Sequence, residues 1–123
     1  MKFALADPST DNTIHSYSEA GIVIGSDRYD SSLIVMADRI IAPWGPTSFA
    51  TVKMSDFELL NELNPDLVIV GTGQQQQFPS PALYRNLIDA GIGVEFMTTP
   101  AACRTYNILL SEGRRVVAAL LPG

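Results

Sequence analysis

The chain has 123 residues, 46% hydrophobic and 17% charged, with a net charge of −5 and a pI near 4.6. That length suits one domain, residues 1–123, burying roughly two thirds of its unfolded surface, and the apolar excess excludes a disordered chain. Eight scattered Lys and Arg on an acidic background exclude a nucleic-acid partner, and one cysteine with one histidine excludes an internal disulfide and a structural zinc site.

The opening run Met1-Lys2-Phe3-Ala4-Leu5-Ala6-Asp7 is too short for a signal-peptide core. The longest apolar run, Val116 to Leu121, falls far short of the roughly 20 residues of a membrane-spanning helix. We therefore expect a cytoplasmic chain with no direct membrane insertion. From Ile14 to Trp44 the pattern is that of strands: Gly21 to Gly25, Ser32 to Met36 and Ile40 to Ala42, with turns at Asp27-Arg28 and Ala37-Asp38-Arg39. It predicts an antiparallel meander, with His15 on an edge strand. Trp44 follows in the proline-braced loop Ala42-Pro43-Trp44-Gly45-Pro46, where an indole either plugs the core or anchors a partner.

From Ser55 onward helices alternate with the short apolar runs Leu67 to Val70, Val94 to Met97 and Val116 to Leu121. This βα alternation predicts an α/β domain of three layers around a central mixed β-sheet, which the N-terminal meander joins. Ser55-Asp56-Phe57-Glu58 reads as a capping box and Asn64-Pro65 as a stop. Ser80-Pro81 and Thr99-Pro100 read as hydroxyl caps before a proline, with Gly91 and Gly113 as left-handed exits.

Candidates for chemistry are few. Gly71-Thr72-Gly73 leaves a buried strand at the carboxyl end, where open α/β sheets place their ligands. Gln76 stands where a dinucleotide fingerprint needs its third glycine, and no Gly-Lys-Ser/Thr occurs, so these glycines are either a tight strand exit or a ligand loop without a nucleotide. Cys103 falls near the start of the Pro100 helix beside Arg104, where a thiol is either buried and inert or activated by the helix terminus. Strand alternation sets Val94 and Phe96 on one face and Glu95 on the other. If both faces are covered Glu95 is buried, and Arg104, Arg114, Tyr106 or Thr105 is its partner. No nucleophile, base and orienting group fall together, so no catalytic residue, metal ligand or cofactor is assigned.

Four segments together, Asp66 to Gly73, Gly91 to Met97, Ala101-Ala-Cys-Arg-Thr-Tyr-Asn107 and Glu112-Gly-Arg-Arg-Val-Val-Ala-Ala-Leu120, carry a family likeness. From about Ile14 to Pro122 the chain resembles small bacterial and archaeal proteins of unknown function. These share a domain with the mitochondrial assembly factor 3 of NADH:ubiquinone oxidoreductase. The resemblance implies a three-layer fold around a mixed sheet with an added β portion. It also implies a role in assembling complex I for the mitochondrial branch and no established activity for the bacterial one. Where many members carry an acidic residue, this chain has Thr98. The expected function is that of a non-enzymatic interaction protein, an accessory or assembly factor for a respiratory complex with a protein partner. The alternative is a small-ligand-binding domain or an enzyme of unassigned reaction. Its site would lie at Gly71, Thr72 and Gly73 near the Pro100 helix start, with Glu95, Cys103 and Arg104.

Overall fold

The computed structural model describes residues 12–122; the opening run read above as no signal peptide lies outside them. Three strands come first, β1 (Ile14–Ser18), β2 (Gly21–Ile24) and β3 (Asp27–Tyr29), followed by β4 (Leu33–Met36) and β5 (Arg39–Ile41). Helix α1 (Met54–Glu62) leads to β6 (Leu67–Gly71), and a 3-10 turn (Pro81–Tyr84) runs into the short α2 (Arg85–Asp89). Then come β7 (Gly93–Met97), α3 (Thr99–Ser111) and β8 (Val116–Leu120).

The meander divides between two sheets. β1, β2 and β3 form an antiparallel sheet of their own, whereas β4 and β5 join the five-stranded sheet of order β5-β4-β8-β6-β7. Burial explains the division. β2 alternates between buried and half-buried residues, as a sheet with one covered face does, while all four residues of β4 are buried on both faces. β6 pairs in parallel with β7 and β8, and β4 closes antiparallel onto β8, so the larger sheet is mixed. The turn expected at Asp27-Arg28 lies two residues earlier. Ile24 pairs with Asp27 across Gly25-Ser26, and Gly25 at φ +62° supplies the left-handed position such a hairpin requires.

Strand alternation sorts the core into two halves. Ile34, Met36, Val68, Val70, Val117 and Ala119 face Phe57 and Leu60 of α1 and Leu87 of α2. Leu33, Val35, Ile69, Val116, Ala118 and Leu120 face Ala102, Cys103, Tyr106 and Leu110 of α3, together with Ile14, Ile22 and Ile24 of the small sheet. The three layers are thus α1 with α2, the mixed sheet, and α3 with the three-stranded sheet. Trp44 plugs the first core half. It is buried, edge-on to Phe57 with ring centroids 6.3 Å apart, and its Nε1 donates to the Asp56 carbonyl at 3.2 Å.

Two helix starts differ from the expected registers. Ser55 does not cap α1: Lys53 is the N-cap, and its N–H donates to the Asp56 carboxylate at 2.8 Å. Asp56 therefore takes the third helical position in place of Glu58, and the lysine side chain has no acceptor with which to complete a reciprocal box. Thr99 does not cap α3 either. Thr98 does, its hydroxyl accepting from the Ala101 N–H at 3.4 Å. The exits follow expectation, with Gly91 at φ +76°, Gly113 at φ +78° and Asn64 at φ 55°. The guanidinium of Arg115, the residue before β8, donates to the Asn64 and Leu63 carbonyls at 2.7 and 3.0 Å, filling acceptors that the end of α1 leaves unpaired.

Candidate functional site

The carboxyl end of the mixed sheet is closed by the chain itself. Thr99, with no exposed surface, accepts from the Gly73 N–H at 2.9 Å and donates to the Leu121 carbonyl at 2.6 Å. The Thr99 N–H returns to the Gly73 carbonyl at 2.8 Å, and the Leu121 N–H reaches the Gly71 carbonyl at 3.0 Å. Thr72 is buried as well. Its N–H donates to the Met97 carbonyl at 2.8 Å and its hydroxyl to the Gln75 carbonyl at 2.6 Å.

Gly71 has a reason of its own in this arrangement. A Cβ there would meet Thr99 Oγ1 at 2.9 Å and Leu120 Cδ2 at 3.0 Å, so the bare backbone is what lets α3 start against the strand. The first-turn amides of α3 are spent in the same junction: Thr99 on Gly73, Ala101 on the Thr98 hydroxyl, Ala102 on the Thr98 carbonyl, with Pro100 having none to give. Such amides are what a helix start offers an anion, and here they are directed inward.

Glu95 is a correction. It is exposed, and no ion pair joins it to Arg104 or Arg114 among the described residues. β7 is an edge strand of the sheet, so its outward face lies beyond the cover of α3. The expected buried pair therefore does not exist, and Glu95 stands apart from the junction around Gly71 and Thr99.

Cys103 and Arg104 lie together in a different place, a cleft of about 200 Å³ between β1 and α3. Ile14, His15, Ser16 and Tyr17 line it from the strand, and Pro100, Cys103, Arg104 and Asn107 from one face of the helix. Asn107 builds the cleft: its Oδ1 accepts from the Ile14 N–H at 2.9 Å and its Nδ2 donates to the Ile14 carbonyl at 2.8 Å, replacing a strand neighbour for β1. The Tyr106 hydroxyl ties the same helix to the Asn12 carbonyl at 2.7 Å. Sequence reasoning read Thr99 as a helix cap and missed its bonds to Gly73 and Leu121, and it missed the bonds of Asn107 to Ile14. Their partners are strands far away in the chain, and only the likeness of the Ala101 to Asn107 segment drew notice to the second.

Burial pushes the Cys103 thiol up to about 12 against the lesser, lowering effect of the Arg104 charge. The thiolate is the reactive form, so iodoacetamide should label Cys103 in the native protein at pH 8 at least tenfold more slowly than in the urea-unfolded chain. Equal rates by mass spectrometry would show the thiol to be accessible and ionised. Among the described residues no group of three His, Cys, Asp or Glu side chains could hold a metal ion.

These features define a three-layer α/β domain whose usual ligand end is sealed by a buried threonine and whose small accessory sheet is clamped to its last helix. The chain belongs to the family described as "Protein of unknown function (DUF498/DUF598)", whose model matches residues 14–121. Over 111 residues it is 34% identical to the NADH dehydrogenase [ubiquinone] 1 alpha subcomplex assembly factor 3 of Bos taurus, covering 89% of this chain and 60% of that protein. It thus spans about three fifths of the length of these curated relatives. A 13 kDa major membrane protein of Francisella tularensis is 27% identical, with 85% of this chain and 86% of that one covered.

Among solved structures, a Bordetella parapertussis protein superposes with a TM-score of 0.87 at 37% identity, covering 93% of this chain and 98% of that one. A Bordetella pertussis protein described as a Mth938-like domain gives 0.84 at 31%, covering 99% and 92%. An outer membrane protein from Bartonella henselae gives 0.80 at 25%, covering 93% and 97%. In this chain, among the described residues, no helix is long and apolar enough to cross a membrane.

Proposed function

We propose that this protein is an accessory factor acting from the cytoplasm, one that binds subunits of a respiratory NADH dehydrogenase during assembly and performs no chemistry of its own. The likeness to the assembly factor 3 proteins supports the class of role. The observation that carries it to a surface is a groove of about 340 Å³ on the α1 and α2 layer, lined by Met54, Ala82, Arg85, Asn86 and Asp89.

Exposed apolar side chains lie on this layer. Met54 is 49% exposed, Ile88 of α2 49%, and Phe78, stacked edge-on against Phe96 with centroids 6.2 Å apart, 69%. Within the groove-lining residue Asn86, Nδ2 donates to the Phe57 carbonyl at 3.1 Å, while Oδ1 is buried with no hydrogen-bond partner among the described residues. Exposed apolar area gathered on one face marks a protein interaction surface.

The test is purification of the tagged chain from its own cells in mild detergent, with quantitative mass spectrometry of what accompanies it. NADH dehydrogenase subunits or their assembly intermediates should be enriched. The double substitution Met54→Lys and Ile88→Lys should reduce that enrichment at least tenfold while leaving the circular dichroism spectrum unchanged. Recovery of the wild-type protein without those subunits would overturn the assignment, and undiminished recovery by the double variant would remove this face from it.

A further inference from the structure

Four of the five side chains in Cys103-Arg104-Thr105-Tyr106-Asn107 are buried or half-buried, and Tyr106 and Asn107 tie α3 to Asn12 and β1. Arg104 is the exception. It is exposed, and no described carboxylate pairs with it. It stands on the rim of the cleft between β1 and α3, and among the described residues lining that cleft none is acidic. In a chain of net charge −5, this places an exposed guanidinium beside a cleft whose described lining carries no negative charge.

The cleft's two ends differ in character. Buried Ile14 and Cys103 form the base with half-buried Pro100, and exposed Arg104, His15 and Ser16 form the rim. The neutral thiol leaves the base uncharged, so Cys103 does not compete for the guanidinium. The Asn107 amide is already committed at both ends to Ile14, which fixes the cleft's walls and leaves the rim to meet the ligand.

Size and charge narrow the occupant. About 200 Å³ is below the roughly 300–1,000 Å³ of cofactor and drug-sized pockets, so the guest is small. A single guanidinium balances one negative charge, and its planar fork matches the two oxygens of a carboxylate. The apolar base asks for a short hydrocarbon tail.

We infer that the cleft between β1 and α3 is a binding site for a short-chain monocarboxylate, its carboxylate received by Arg104 at the rim and its alkyl tail by Ile14, Pro100 and Cys103. His15 and Ser16 add hydrogen-bond donors to the same rim. The site lies on the opposite side of the mixed sheet from the groove of Met54 and Asn86, so it stands or falls independently of the proposed assembly role.

The experiment is a two-dimensional ¹H–¹⁵N NMR titration of the full chain with sodium butyrate at constant ionic strength. Butyramide and inorganic phosphate serve as comparison probes. Saturable shifts should centre on Ile14 to Tyr17 and Ala101 to Asn107. Arg104→Ala should weaken butyrate binding at least tenfold, and butyramide should leave those resonances in place. Cys103→Leu, which fills the base while keeping the guanidinium, should also weaken binding, and each variant's own spectrum reports whether it is folded. Butyrate binding undiminished by Arg104→Ala, equal shifts with butyramide, or shifts elsewhere on the surface would overturn the site. Tighter binding of phosphate than of butyrate would overturn its assignment to a carboxylate.

Discussion

Thr99→Val should lower the stability of the domain by about 3 kcal/mol, although the two side chains have nearly the same shape. The substitution strands a donor, the Gly73 N–H now 2.9 Å from the hydroxyl, and an acceptor, the Leu121 carbonyl at 2.6 Å. Thr99 itself has no exposed surface through which water could replace either bond. Each buried group left unpaired costs about 1–3 kcal/mol, and the two lie at opposite sides of one hydroxyl. The neighbouring Thr98→Val is the internal comparison. Its hydroxyl makes a single, longer cap bond of 3.4 Å, and loss of a cap costs about 1 kcal/mol. Urea unfolding followed by circular dichroism measures both. If Thr98→Val proves the more damaging, the sheet end is not sealed by Thr99 and would again be open to a ligand at Gly71 to Gly73.

The contrast between these two threonines also marks how far the sequence could be read. A hydroxyl before Pro100 was expected at the start of α3, and the helix does begin there, but the local pattern Thr98-Thr99-Pro100 does not say which hydroxyl caps and which reaches Leu121. The same holds at α1, where a capping motif was legible and its register was not, because Asp56 reaches back to Lys53. The parallel strands and their order of helices were legible, since β6 and β8 are short apolar runs between clear breakers. The split of the meander required noticing that the Gly21 to Ile24 strand alternates in burial and the Leu33 to Met36 strand does not. Glu95 was misplaced because strand order is a tertiary fact. Alternation gives a face, and only the sheet order puts that face on an uncovered edge.

What joins the two parts of the molecule was the least legible of all, because it spans 93 residues of sequence in one amide group. Asn107→Leu keeps the volume of the side chain and removes both of its bonds to Ile14. Neither backbone group regains a strand neighbour, since β1 is the edge of its sheet, so about 2 kcal/mol should be lost at this one position. The loss should also be local. The three-stranded sheet retains Ile14, Ile22 and Ile24 in the core shared with α3, while the mixed sheet keeps every pairing of its own. Amide hydrogen exchange should therefore accelerate in β1, β2 and β3 and stay near wild-type rates in β6 and β8. Equal acceleration in both sheets would mean that they unfold as one unit and that Asn107 stabilises the whole domain. Loss confined to the small sheet would show that the wall of the cleft beside Arg104 opens and closes separately from the core, giving a small guest a path to Cys103 at its base.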